Sequence, residues 1–597
     1  MCGIVGIVSN KEVSENILQA LRRLEYRGYD SAGISTVKNN ALHTLRARGK
    51  IDQLAKLFTE TTLEGQIGIG HTRWATHGAP LVRNAHPHNA AEVSVVHNGI
   101  IENYKILKAE LIALGVEFLS DTDTEVIPHL INFYLSENLT PLEAVQKTVA
   151  RLEGAFAIAV IFANYPEVLI GAKKGSPLAV GYGDNENYLG SDAFALANFT
   201  NQISYLEEND ITVITKDVVE IYDKAGNQVK RTIKKVANID VEGKGNYRHF
   251  MLKEIYEQPK VAAKVFDSYI DFENNELKFS LPLDVAKIPK ITIIACGTSY
   301  YAAFVARYWF ENFANISVEI EIASEFRYRK INLPSGGVAI FISQSGETAD
   351  TLAALRFAKS QNQYIISLVN VEESSIARES DYVLNLFAGT EIGVASTKAF
   401  TASLCTLASL ILFFAKAANI DITNHINNCQ QVPGKIAQML VLDDSIKELS
   451  KNLKNANNIL FMGRGVSYAI ALEGALKLKE LSYIHAEAFA AGELKHGPIA
   501  LIDENIPVIA IIPPDDLFEK TLSNISEVEA RGANVIIISE KSEIFANYKT
   551  IEICNTDPLT QAIIYAIPLQ LIAYHTALHK GTDVDQPRNL AKSVTVE

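Results

Sequence analysis

Short apolar runs separated by polar turns recur through the first 240 residues, and this pattern predicts β-strands. The runs lie at Gly3–Val8, Ile67–Ile69, Val93–Val96, Phe156–Phe162 and Val168–Ile170. Helical periodicity predicts three helices, at Ser14–Leu24, Tyr104–Leu114 and Asp123–Leu135. Packed sheets accompanied by a few helices indicate an α+β domain.

From about residue 285 the pattern changes to fully apolar strands that alternate with helices. Strands are predicted at Ile291–Ala295, Val338–Ile342 and Tyr364–Val369. The same order recurs about 170 residues later, at Ile459–Met462, Val508–Ile512 and Asn534–Ile538. Because continuous apolar strands are typical of parallel sheets covered on both faces, the sequence predicts two tandem, doubly wound α/β domains.

These patterns divide the chain into five predicted segments. They are an α+β domain at 1–240, a linker and helix at 241–284, α/β domains at 285–430 and 450–582, and a C-terminal tail at 583–597. Two glycines among polar residues in Val241–Tyr247 predict the linker, and a helix is predicted at Phe250–Phe272. The tail is polar and has no period, which is typical of a disordered terminus.

Charge and cysteine content narrow the class of protein. The 597 residues carry a formal net charge of −14, which argues against nucleic acid or an anionic membrane surface as the main partner. The five cysteines are far apart and form no CxxC pair, which fits free thiols in a reducing cytoplasm. No secretory signal is predicted, because glycines interrupt the first apolar run. Ala399–Ala415 is shorter than a membrane span and contains hydroxyl residues, so we expect a buried helix there.

Cys2 is the first candidate for chemistry. If Met1 is removed, residue 2 carries both a thiol and a free α-amine. An amine whose pKa is about 8 can accept the thiol proton near neutral pH, so this residue would hold its own base. On position alone, an early cysteine without a catalytic role is the alternative.

Three further segments hold groups that suit a small polar substrate. Arg73 has planar donors that match a carboxylate, although a solvated surface charge is the alternative. Asn98 and Gly99 end a predicted strand and offer two donors to an oxyanion, whereas an Asn-Gly turn is the commoner meaning. Asp123 suits a substrate ammonium, with a carboxylate at a helix N-terminus as the alternative.

The histidines at 71, 77, 86, 88 and 97 match no zinc spacing, so no metal site is predicted.

These segments resemble the N-terminal-nucleophile class of glutamine amidotransferases. The resemblance rests on Cys2–Ile4, Tyr26–Gly33, His71–Gly78, His97–Gly99 and Thr122–Glu125. It implies an αββα-like amidohydrolase sandwich in which Cys2 attacks the side-chain amide of glutamine. It also implies an oxyanion hole formed by Asn98 and Gly99, and a glutamine-binding set of Arg73, Thr76, His77 and Asp123. The ammonia released there is consumed elsewhere.

The second half of the chain has a hydroxyl-rich candidate for a phosphate site. Thr298 and Ser299 follow one apolar strand, and Ser343, Gln344, Ser345 and Thr348 follow the next. Hydroxyls and backbone N–H groups at helix N-termini bind phosphate without a basic side chain, although ordinary helix capping is the alternative. The carboxyl edge of a parallel sheet is where ligands bind, and the absence of a P-loop motif favours a sugar phosphate over a nucleotide.

Acid–base candidates follow in the second α/β domain and the tail. Glu473, Lys477 and Glu480 are spaced i, i+4 and i+7 on one face of a predicted helix, with a solvated charged face as the alternative. His496 lies in a glycine-flanked loop that suits a mobile acid or base. Lys592 could form a Schiff base if it is desolvated.

These segments resemble the tandem sugar-isomerase domains of the glutamine–fructose-6-phosphate aminotransferase family, and the resemblance covers essentially the whole chain. It implies conversion of D-fructose 6-phosphate and L-glutamine to D-glucosamine 6-phosphate and L-glutamate, with no metal or organic cofactor. His496 would assist ring opening, Lys592 would form the imine, and Glu480 would move the proton between C1 and C2, supported by Glu473 and Lys477. The implied sugar-phosphate site comprises Thr298, Ser299, Ser343, Gln344, Ser345, Thr348, Val394, Ala395 and Ser396.

Two sites in one chain require the ammonia to travel between them. We expect an internal channel gated by Trp74, with the C-terminal tail closing the sugar site. We also expect a homodimer, because sugar sites built from tandem α/β domains often borrow residues across a dimer.

Three other functions are compatible with parts of the sequence. An amidotransferase acting on phosphoribosyl pyrophosphate would need an acidic–hydrophobic diphosphate motif and Mg²⁺, and no such motif occurs in the chain. A sugar-phosphate sensor would not need Glu480, His496 and Lys592 together. A deglycase or isomerase that works without glutamine would not need Cys2 with its pocket.

Overall fold

The computed structural model describes residues 2–61, 63–235 and 243–595. Met1, the predicted domain end at residue 240 and the predicted start of the linker at residue 241 lie outside the described residues. The chain divides into two compact units, residues 1–241 with 591–597, and residues 242–590. The predicted tail, 583–597, is therefore divided between the two units.

The first unit is built from two antiparallel sheets and six helices in its described part. Its strands are β1 Gly3–Ser9, β2 Ser31–Lys38, β3 Ala41–Arg48, β4 Ile67–Arg73, β5 His88–Ala90, β6 Val93–Gly99, β7 Phe156–Phe162, β8 Tyr165–Lys174, β9 Ala179–Tyr182, β10 Glu186–Gly190, β11 Gln202–Tyr205, β12 Ile211–Ile214, β13 Val219–Tyr222, β14 Gln228–Val229 and β15 Lys234–Lys235. Its helices are α1 Ser14–Leu24, α2 Ile51–Glu60, α3 Tyr104–Ala113, α4 Val126–Ser136, α5 Pro141–Arg151 and α6 Ala193–Leu196.

These elements form four layers. One sheet has the order β15-β11-β9-β10-β1-β4-β2-β3, and the other has the order β14-β13-β12-β8-β7-β6-β5. Apolar side chains of both sheets, including Ile4, Ile69 and Ala159, form the core between them. A second core lies between the first sheet and helices α1 and α2, and a third lies between the second sheet and α3 to α5. The predicted αββα sandwich is confirmed.

Strand β1 places residue 2 at the edge of the buried core, because every residue of β1 is buried between β10 and β4. Small residues allow α1 to pack closely on this sheet. A Cβ atom at Gly70 would lie 2.4 Å from the side chain of Ile17, and one at Gly3 would lie 2.7 Å from Leu24 Cβ. The residue directly after Cys2, Gly3, therefore lies where there is no space for a side chain.

The second unit contains two parallel sheets, a small hairpin and the helices around them. Its described strands are β16 Ile270–Asp271, β17 Glu276–Leu277, β18 Ile291–Ala295, β19 Val318–Ile322, β20 Val338–Ser343, β21 Tyr364–Val369, β22 Tyr382–Asn385, β23 Asn458–Gly463, β24 His485–Ala490, β25 Pro507–Ile511, β26 Asn534–Ser539 and β27 Lys549–Glu552. Its described helices are α7 Phe250–Tyr269, α8 Gly297–Trp309, α9 Ala323–Phe326, α10 Ala349–Ser360, α11 Ser375–Glu379, α12 Lys398–Ala417, α13 Thr423–Leu440, α14 Asp443–Ser450, α15 Val466–Ser482, α16 Phe518–Glu529 and α17 Gln561–Lys580.

The two parallel sheets have the same topology. The first has the order β19-β18-β20-β21-β22, and the second has the order β24-β23-β25-β26-β27. Both correspond to strand order 2-1-3-4-5, in which ligands bind where strands 1 and 3 lie side by side. The predicted duplication is confirmed, and each copy places its ligand edge after its first and third strands.

The equivalent helices α8 and α15, which follow the first strand of each copy, pack against each other. Phe304 and Tyr468 meet there edge to face, with ring centroids 5.6 Å apart. Helices α12 and α17 follow the last strand of the first and second copy, respectively. Among the described residues these two are long and apolar enough to span a membrane, yet 94% and 89% of their most apolar windows are buried. The predicted buried helix at Ala399–Ala415 is confirmed as part of the core.

Two helix boundaries differ from the sequence prediction for reasons that the structure shows. Helix α4 begins at Val126, later than predicted, because the carboxylates before it bind other backbone: Asp123 accepts from Ile101 N, and Glu125 accepts from Leu119 N and Ser120 N. Helix α7 ends at Tyr269, because the next two residues pair as β16 with β17.

The prediction of a disordered tail is wrong for its described residues. Val584 and Asp585 are buried, as are Ser593 and Thr595. The Asp585 carboxylate accepts hydrogen bonds from the first two N–H groups of α7, at 3.0 and 2.9 Å. A carboxylate at this position satisfies free donors and opposes the positive end of the helix dipole, so α7 holds the part of the tail around Asp585 in place.

Candidate active sites

The thiol of Cys2 lies against the backbone of Trp74. Cys2 Sγ donates to the carbonyl of Trp74 at 3.5 Å and accepts from its N–H at 3.3 Å. Burial of the thiol group raises its pKa. The thiol is therefore neutral at rest, and a nucleophilic role requires a base that removes its proton.

Asn98 is the last residue but one of strand β6 and lies beside residue 2. Its Nδ2 donates to the Cys2 carbonyl at 3.1 Å and to Ser191 Oγ at 2.9 Å. The next residue, Gly99, has a φ of +131°, and a Cβ atom there would lie 2.1 Å from the carbonyl of Ala155. Only glycine fits this position, so the close approach of two backbones, and not a simple Asn-Gly hairpin turn, explains Gly99.

Arg73 is buried and holds the loop that follows it. Its Nη atoms donate to the carbonyls of His77, Gly78 at 3.1 Å and Ala79 at 3.5 Å. Within the part of the chain that the structure describes, these bonds use three of its five N–H groups, so two remain for a ligand. Burial lowers its pKa. The alternative of a solvated surface charge is wrong, because Arg73 is only 3% exposed.

Asp123 lies next to this loop. Its Oδ1 is 3.9 Å from Nδ1 of His77, and its Oδ2 accepts from Ile101 N at 2.8 Å. His77 Nδ1 is also 3.4 Å from the hydroxyl of Thr76. The structure thus brings the predicted residues of the first site together through hydrogen bonds, close contacts or chain adjacency. They are Cys2, Arg73, Trp74, Thr76, His77, Asn98, Gly99 and Asp123.

Two contributors to this site were not singled out in the sequence. Ser191, which follows β10, accepts from both Asn98 and the N–H of Ile4 at 2.8 Å. Asp30 accepts from Ala75 N at 2.8 Å and so fixes the backbone after Trp74. Asp30 belongs to the Tyr26–Gly33 motif, so the sequence could have indicated it as a site residue. Nothing near Ser191 in the sequence indicates that it bonds to Asn98.

Four of the clustered histidines are buried beneath the Cys2 pocket. His86 stacks on His71 with centroids 4.1 Å apart, and contacts His88 and His97 at 4.8 and 6.4 Å. Burial lowers the pKa of all four, so they are neutral at pH 7. Their ring nitrogens bond to hydroxyls, backbone and Asn98, and no group that could hold a metal ion occurs among the described residues.

In the second unit, the loop after β20 forms a compact turn lined by hydroxyls. Ser343 Oγ accepts from Gly346 N at 3.1 Å and lies 3.2 Å from Thr348 Oγ1. Ser345 Oγ accepts from Glu347 N at 3.2 Å. Thr348 precedes α10, but among the described residues its hydroxyl does not cap that helix. The alternative of ordinary N-capping is therefore wrong for Thr348.

Glycine is required in this turn. Gly346 has a φ of +64°, and a Cβ atom there would lie 1.9 Å from Ser374 Oγ. The backbone carbonyl of Gln344 accepts from Asn370 N at 3.1 Å, which ties the turn to the end of β21. Ser299, half-buried in the first turn of α8, lies after the neighbouring strand β18. The predicted hydroxyl residues thus follow strands 1 and 3 of one sheet.

Glu473, Lys477 and Glu480 project from one face of α15. Lys477 Nζ lies 2.6 Å from Glu480 Oε2 and 3.7 Å from Glu473 Oε1. Thr298 Oγ1, from α8, donates to Glu473 Oε1 at 3.3 Å. Glu473 and Lys477 are 2% and 1% exposed, so the alternative of a solvated charged face is wrong.

The environment of these groups sets their charge. Burial raises the pKa of Glu473 to about 8, so this carboxyl is mostly protonated at pH 7. Burial opposes the charged form of Lys477, but the two carboxylates outweigh it and raise its pKa. The group therefore holds an ammonium at Lys477 and, at Glu473, an acid that can release a proton near neutral pH.

A buried carboxylate that the sequence prediction missed shapes the segment from Val394 to Ser396. Glu391 accepts from Ser396 Oγ at 3.2 Å, and from the N–H groups of Thr397 and Ala399 at 2.9 and 3.0 Å. It thereby satisfies free donors at the start of α12. Val394 and Ala395 are buried.

The other two predicted catalytic residues belong to chain segments outside α15. His496 is exposed at the end of a 3₁₀ turn, Ala491–His496, and is followed by Gly497 with a φ of +142°. Lys592 is half-buried and belongs to the segment grouped with the first unit.

Comparison with known proteins agrees with both halves of this description. The glutamine amidotransferase domain family matches residues 76–198, and the SIS domain family matches residues 284–413 and 452–580. The chain is 52% identical to the glutamine–fructose-6-phosphate aminotransferase [isomerizing] of Zymomonas mobilis over 611 aligned positions, with 100% of both chains covered. The chain belongs to the glutamine–fructose-6-phosphate aminotransferase (isomerizing) family.

Further members of this family and a solved structure give the same result. The enzyme of that name from Brucella suis is 52% identical, again with 100% of both chains covered. The C-terminal domain of glucosamine-fructose-6-phosphate aminotransferase from Francisella tularensis matches with a TM-score of 0.56 and 43% identity. It covers 58% of this chain and 100% of its own.

Proposed function

We propose that this protein transfers the amide nitrogen of L-glutamine to D-fructose 6-phosphate, giving D-glucosamine 6-phosphate and L-glutamate. The observation that carries the proposal is the 52% identity over full length to family members of that name. Because the match covers both the Cys2 pocket and the duplicated sheets, it supports both half-reactions. As a step that forms an amino sugar, the reaction would begin hexosamine biosynthesis.

In the first half-reaction Cys2 attacks the glutamine amide. Since burial raises the pKa of the thiol, the α-amine exposed by loss of Met1 would take its proton. Asn98 and Gly99 would stabilise the oxyanion of the tetrahedral intermediate. Arg73 has donors left for the α-carboxylate of glutamine, and Asp123 would accept from its ammonium.

Thr76 and His77 would line the glutamine pocket, because both lie in the loop that Arg73 holds. Ammonia leaves as the amide C–N bond breaks, and water then hydrolyses the thioester to glutamate. We propose that this ammonia reaches the sugar through an internal channel gated by Trp74, whose backbone contacts the Cys2 thiol.

The second half-reaction takes place at the duplicated sheets. The hydroxyl turn after β20 would bind the phosphate group, and its compact geometry supports this role. The sugar-phosphate site would comprise Thr298, Ser299, Ser343, Gln344, Ser345, Thr348, Val394, Ala395 and Ser396. The tail, 583–597, would close it.

The chemistry at the sugar proceeds through an imine. Lys592 would condense with the C2 ketone with loss of water, and ammonia would displace the lysine. Glu480 would then carry a proton from C1 to C2, which converts the ketose imine to the aldose amine. Lys477 holds the Glu480 carboxylate at 2.6 Å, and Glu473 would act as a supporting acid. His496 would assist ring opening.

We propose a homodimer that works in the cytoplasm. Free thiols and the composition of the chain support the compartment. We also propose the segment boundaries 1–240 for the glutaminase domain, 241–284 for the linker and helix, 285–430 and 450–582 for the two sugar-isomerase domains, and 583–597 for the tail.

One assay tests the whole proposal. The purified protein is incubated with glutamine and fructose 6-phosphate, and glutamate and hexosamine phosphate are measured. Equal amounts of both products are expected. Glutamate without hexosamine phosphate would reject the acceptor, and an absence of glutamate production would reject the glutaminase. Light scattering on the same sample gives the oligomeric state.

A further inference from the structure

We propose that His71 is a positioning residue of the glutaminase site, and that its ring N–H fixes the side-chain amide of Asn98 in the orientation that points Nδ2 toward residue 2. This inference goes beyond the roles assigned above, because none of them uses His71. It rests on the proposed function of Asn98 in the oxyanion hole.

The hydrogen bonds of His71 define its tautomer. Its Nε2 lies 2.9 Å from the carbonyl of His97 and 3.1 Å from Oδ1 of Asn98. A carbonyl can only accept, so Nε2 carries the proton and donates to both oxygens. The neutral ring agrees with its burial, which lowers the pKa of His71. Its Nδ1 is buried and, within the described part of the chain, has no hydrogen-bond partner.

This donor determines which way the Asn98 amide faces. If the amide were reversed, its NH₂ group would face the N–H of His71, and its oxygen would face the carbonyl of Cys2. Both contacts would then be repulsive, donor against donor and acceptor against acceptor. His71 and the Cys2 carbonyl therefore fix the orientation together.

The anchor on the oxygen side of the amide persists during the reaction. Nδ2 has two N–H groups, which donate to the Cys2 carbonyl and to Ser191 Oγ, and one of these bonds is released when Nδ2 turns to a developing oxyanion. The contact between His71 and Asn98 Oδ1 remains, and the bond from His71 to the His97 carbonyl holds the adjoining backbone. His71 thereby steadies both the side chain and the main chain that lead to Gly99.

The surrounding histidines keep His71 in place. His86 stacks on its ring at 4.1 Å with an interplanar angle of 15°. The Nδ1 of His86 accepts from the backbone N–H of His97 at 3.2 Å, so its proton lies on Nε2, 3.3 Å from the Thr124 hydroxyl. That hydroxyl also lies 2.9 Å from His97 Nδ1. The network needs no charged imidazole.

The test compares His71→Leu, which removes the donor, with His71→Gln, whose side-chain NH₂ can replace it. Glutaminase kcat and KM, and the rate of Cys2 alkylation by iodoacetamide, are measured in each. In His71→Leu we expect kcat to fall by about 10-fold to 100-fold, while KM and the alkylation rate stay within about twofold of wild type. His71→Gln should recover most of kcat. An unchanged kcat in His71→Leu, or no recovery with Gln, would overturn the proposal.

Two controls separate positioning from packing. His88→Leu removes an equally buried histidine of the same cluster that bonds to Thr122 instead of Asn98. If His88→Leu lowers kcat as much as His71→Leu, the effect belongs to the packing of the cluster and the proposal fails. In an Asn98→Ala background, His71→Leu should cause little further loss, because its effect passes through Asn98. Additive losses in kcat would show that His71 does not act through Asn98 and would overturn the proposal. An unchanged kcat in Asn98→Ala alone would instead reject the proposed role of Asn98 in the oxyanion hole.

Discussion

Thr298 in the first sheet repeat donates a 3.3 Å hydrogen bond from Oγ1 to Glu473 Oε1 in the second repeat. The bond joins the first turn of α8 to the middle of α15, the two helices that follow the first strand of each copy. The other carboxyl oxygen of Glu473 is buried and, among the described residues, has no hydrogen-bond partner. A protonated carboxyl fits this environment better than an ionised one, in agreement with its pKa of about 8.

Glu473→Gln should change how stability depends on pH. The folded pKa of about 8 lies above the ordinary value of 4.5, so the folded protein holds a proton that the unfolded chain has lost between these pH values. The stabilisation is present below pH 4.5 and is lost as pH rises through 8. The glutamine variant does not titrate, so between pH 6 and 8.5 its free energy of unfolding should rise by about 1 to 3 kcal/mol relative to wild type.

Urea unfolding at the two pH values measures this difference. Glu487→Gln, which neutralises an exposed carboxylate on β24, is the matched control and should follow the wild-type pH dependence. If the free energy of unfolding of Glu473→Gln differs from that of wild type by the same amount at both pH values, the raised pKa of Glu473 is contradicted.

Glu480→Gln should stop the sugar chemistry without affecting glutamine hydrolysis. The amide cannot take the C1 proton, and it also loses the charge that pairs with Lys477 at 2.6 Å. We expect the rate of hexosamine phosphate formation to fall by about 10³-fold, within the range for loss of a general base. Glutamate release at Cys2, measured in the same sample, should remain. Retention of more than a tenth of the sugar activity would exclude Glu480 as the proton carrier.

Cys2→Ala should abolish glutamine-dependent amination and spare sugar isomerisation, because it removes the only atom proposed to attack the amide. Product formation from glutamine and interconversion of the hexose phosphates are assayed separately. Cys554→Ala, which removes a half-buried thiol of the second unit, should behave as wild type in both assays. Glucosamine phosphate made from glutamine at the wild-type rate in Cys2→Ala would reject the nucleophile.

Trp74→Ala should uncouple the two half-reactions. The backbone of residue 74 that contacts Cys2 Sγ is retained, so glutamine is still hydrolysed, but the proposed gate is lost. The ratio of hexosamine phosphate to glutamate should fall well below one as ammonia escapes. Full coupling would exclude Trp74 as the gate. Tyr104→Ala, which removes a ring packed on His77 in the same unit, is the control for loss of an aromatic side chain.

Lys592 should be trapped by reduction. Borohydride added with fructose 6-phosphate would reduce the imine to a stable secondary amine, and peptide mass spectrometry would locate the added mass on Lys592. Lys495, an exposed lysine paired with Glu527 at 2.7 Å, is the internal control and should stay unmodified. Label at other lysines but not at Lys592 would exclude the proposed imine.

Local patterns predicted most of the elements and brought forward many of the residues that the structure groups at the two candidate sites. Continuous runs of apolar residues located β1, β18 and β20, because each strand is buried along its whole length. Cys2, Arg73 and Asn98 could be found because each belongs to a short segment with a recognisable combination of groups.

The remaining contacts depend on partners distant in sequence. Ser191 bonds to Asn98 across 93 residues, and Asp585 caps α7 across more than 300 residues. No local pattern indicates either pairing, which is also why the tail was predicted to be disordered. The start of α4 was misplaced for a related reason: the Asp123 carboxylate binds the backbone of Ile101 and does not belong to the helix.

The two repeats share one strand order but carry different side chains at equivalent helices, and this difference limits how the protein can change during evolution. Two identical copies provide redundancy, since either can keep the original role while the other varies. Here the helix after the first strand carries the hydroxyl of Thr298 in one copy and the carboxyls of Glu473 and Glu480 in the other. The copies are no longer interchangeable, so one copy cannot replace the function that an inactivating substitution removes from the other.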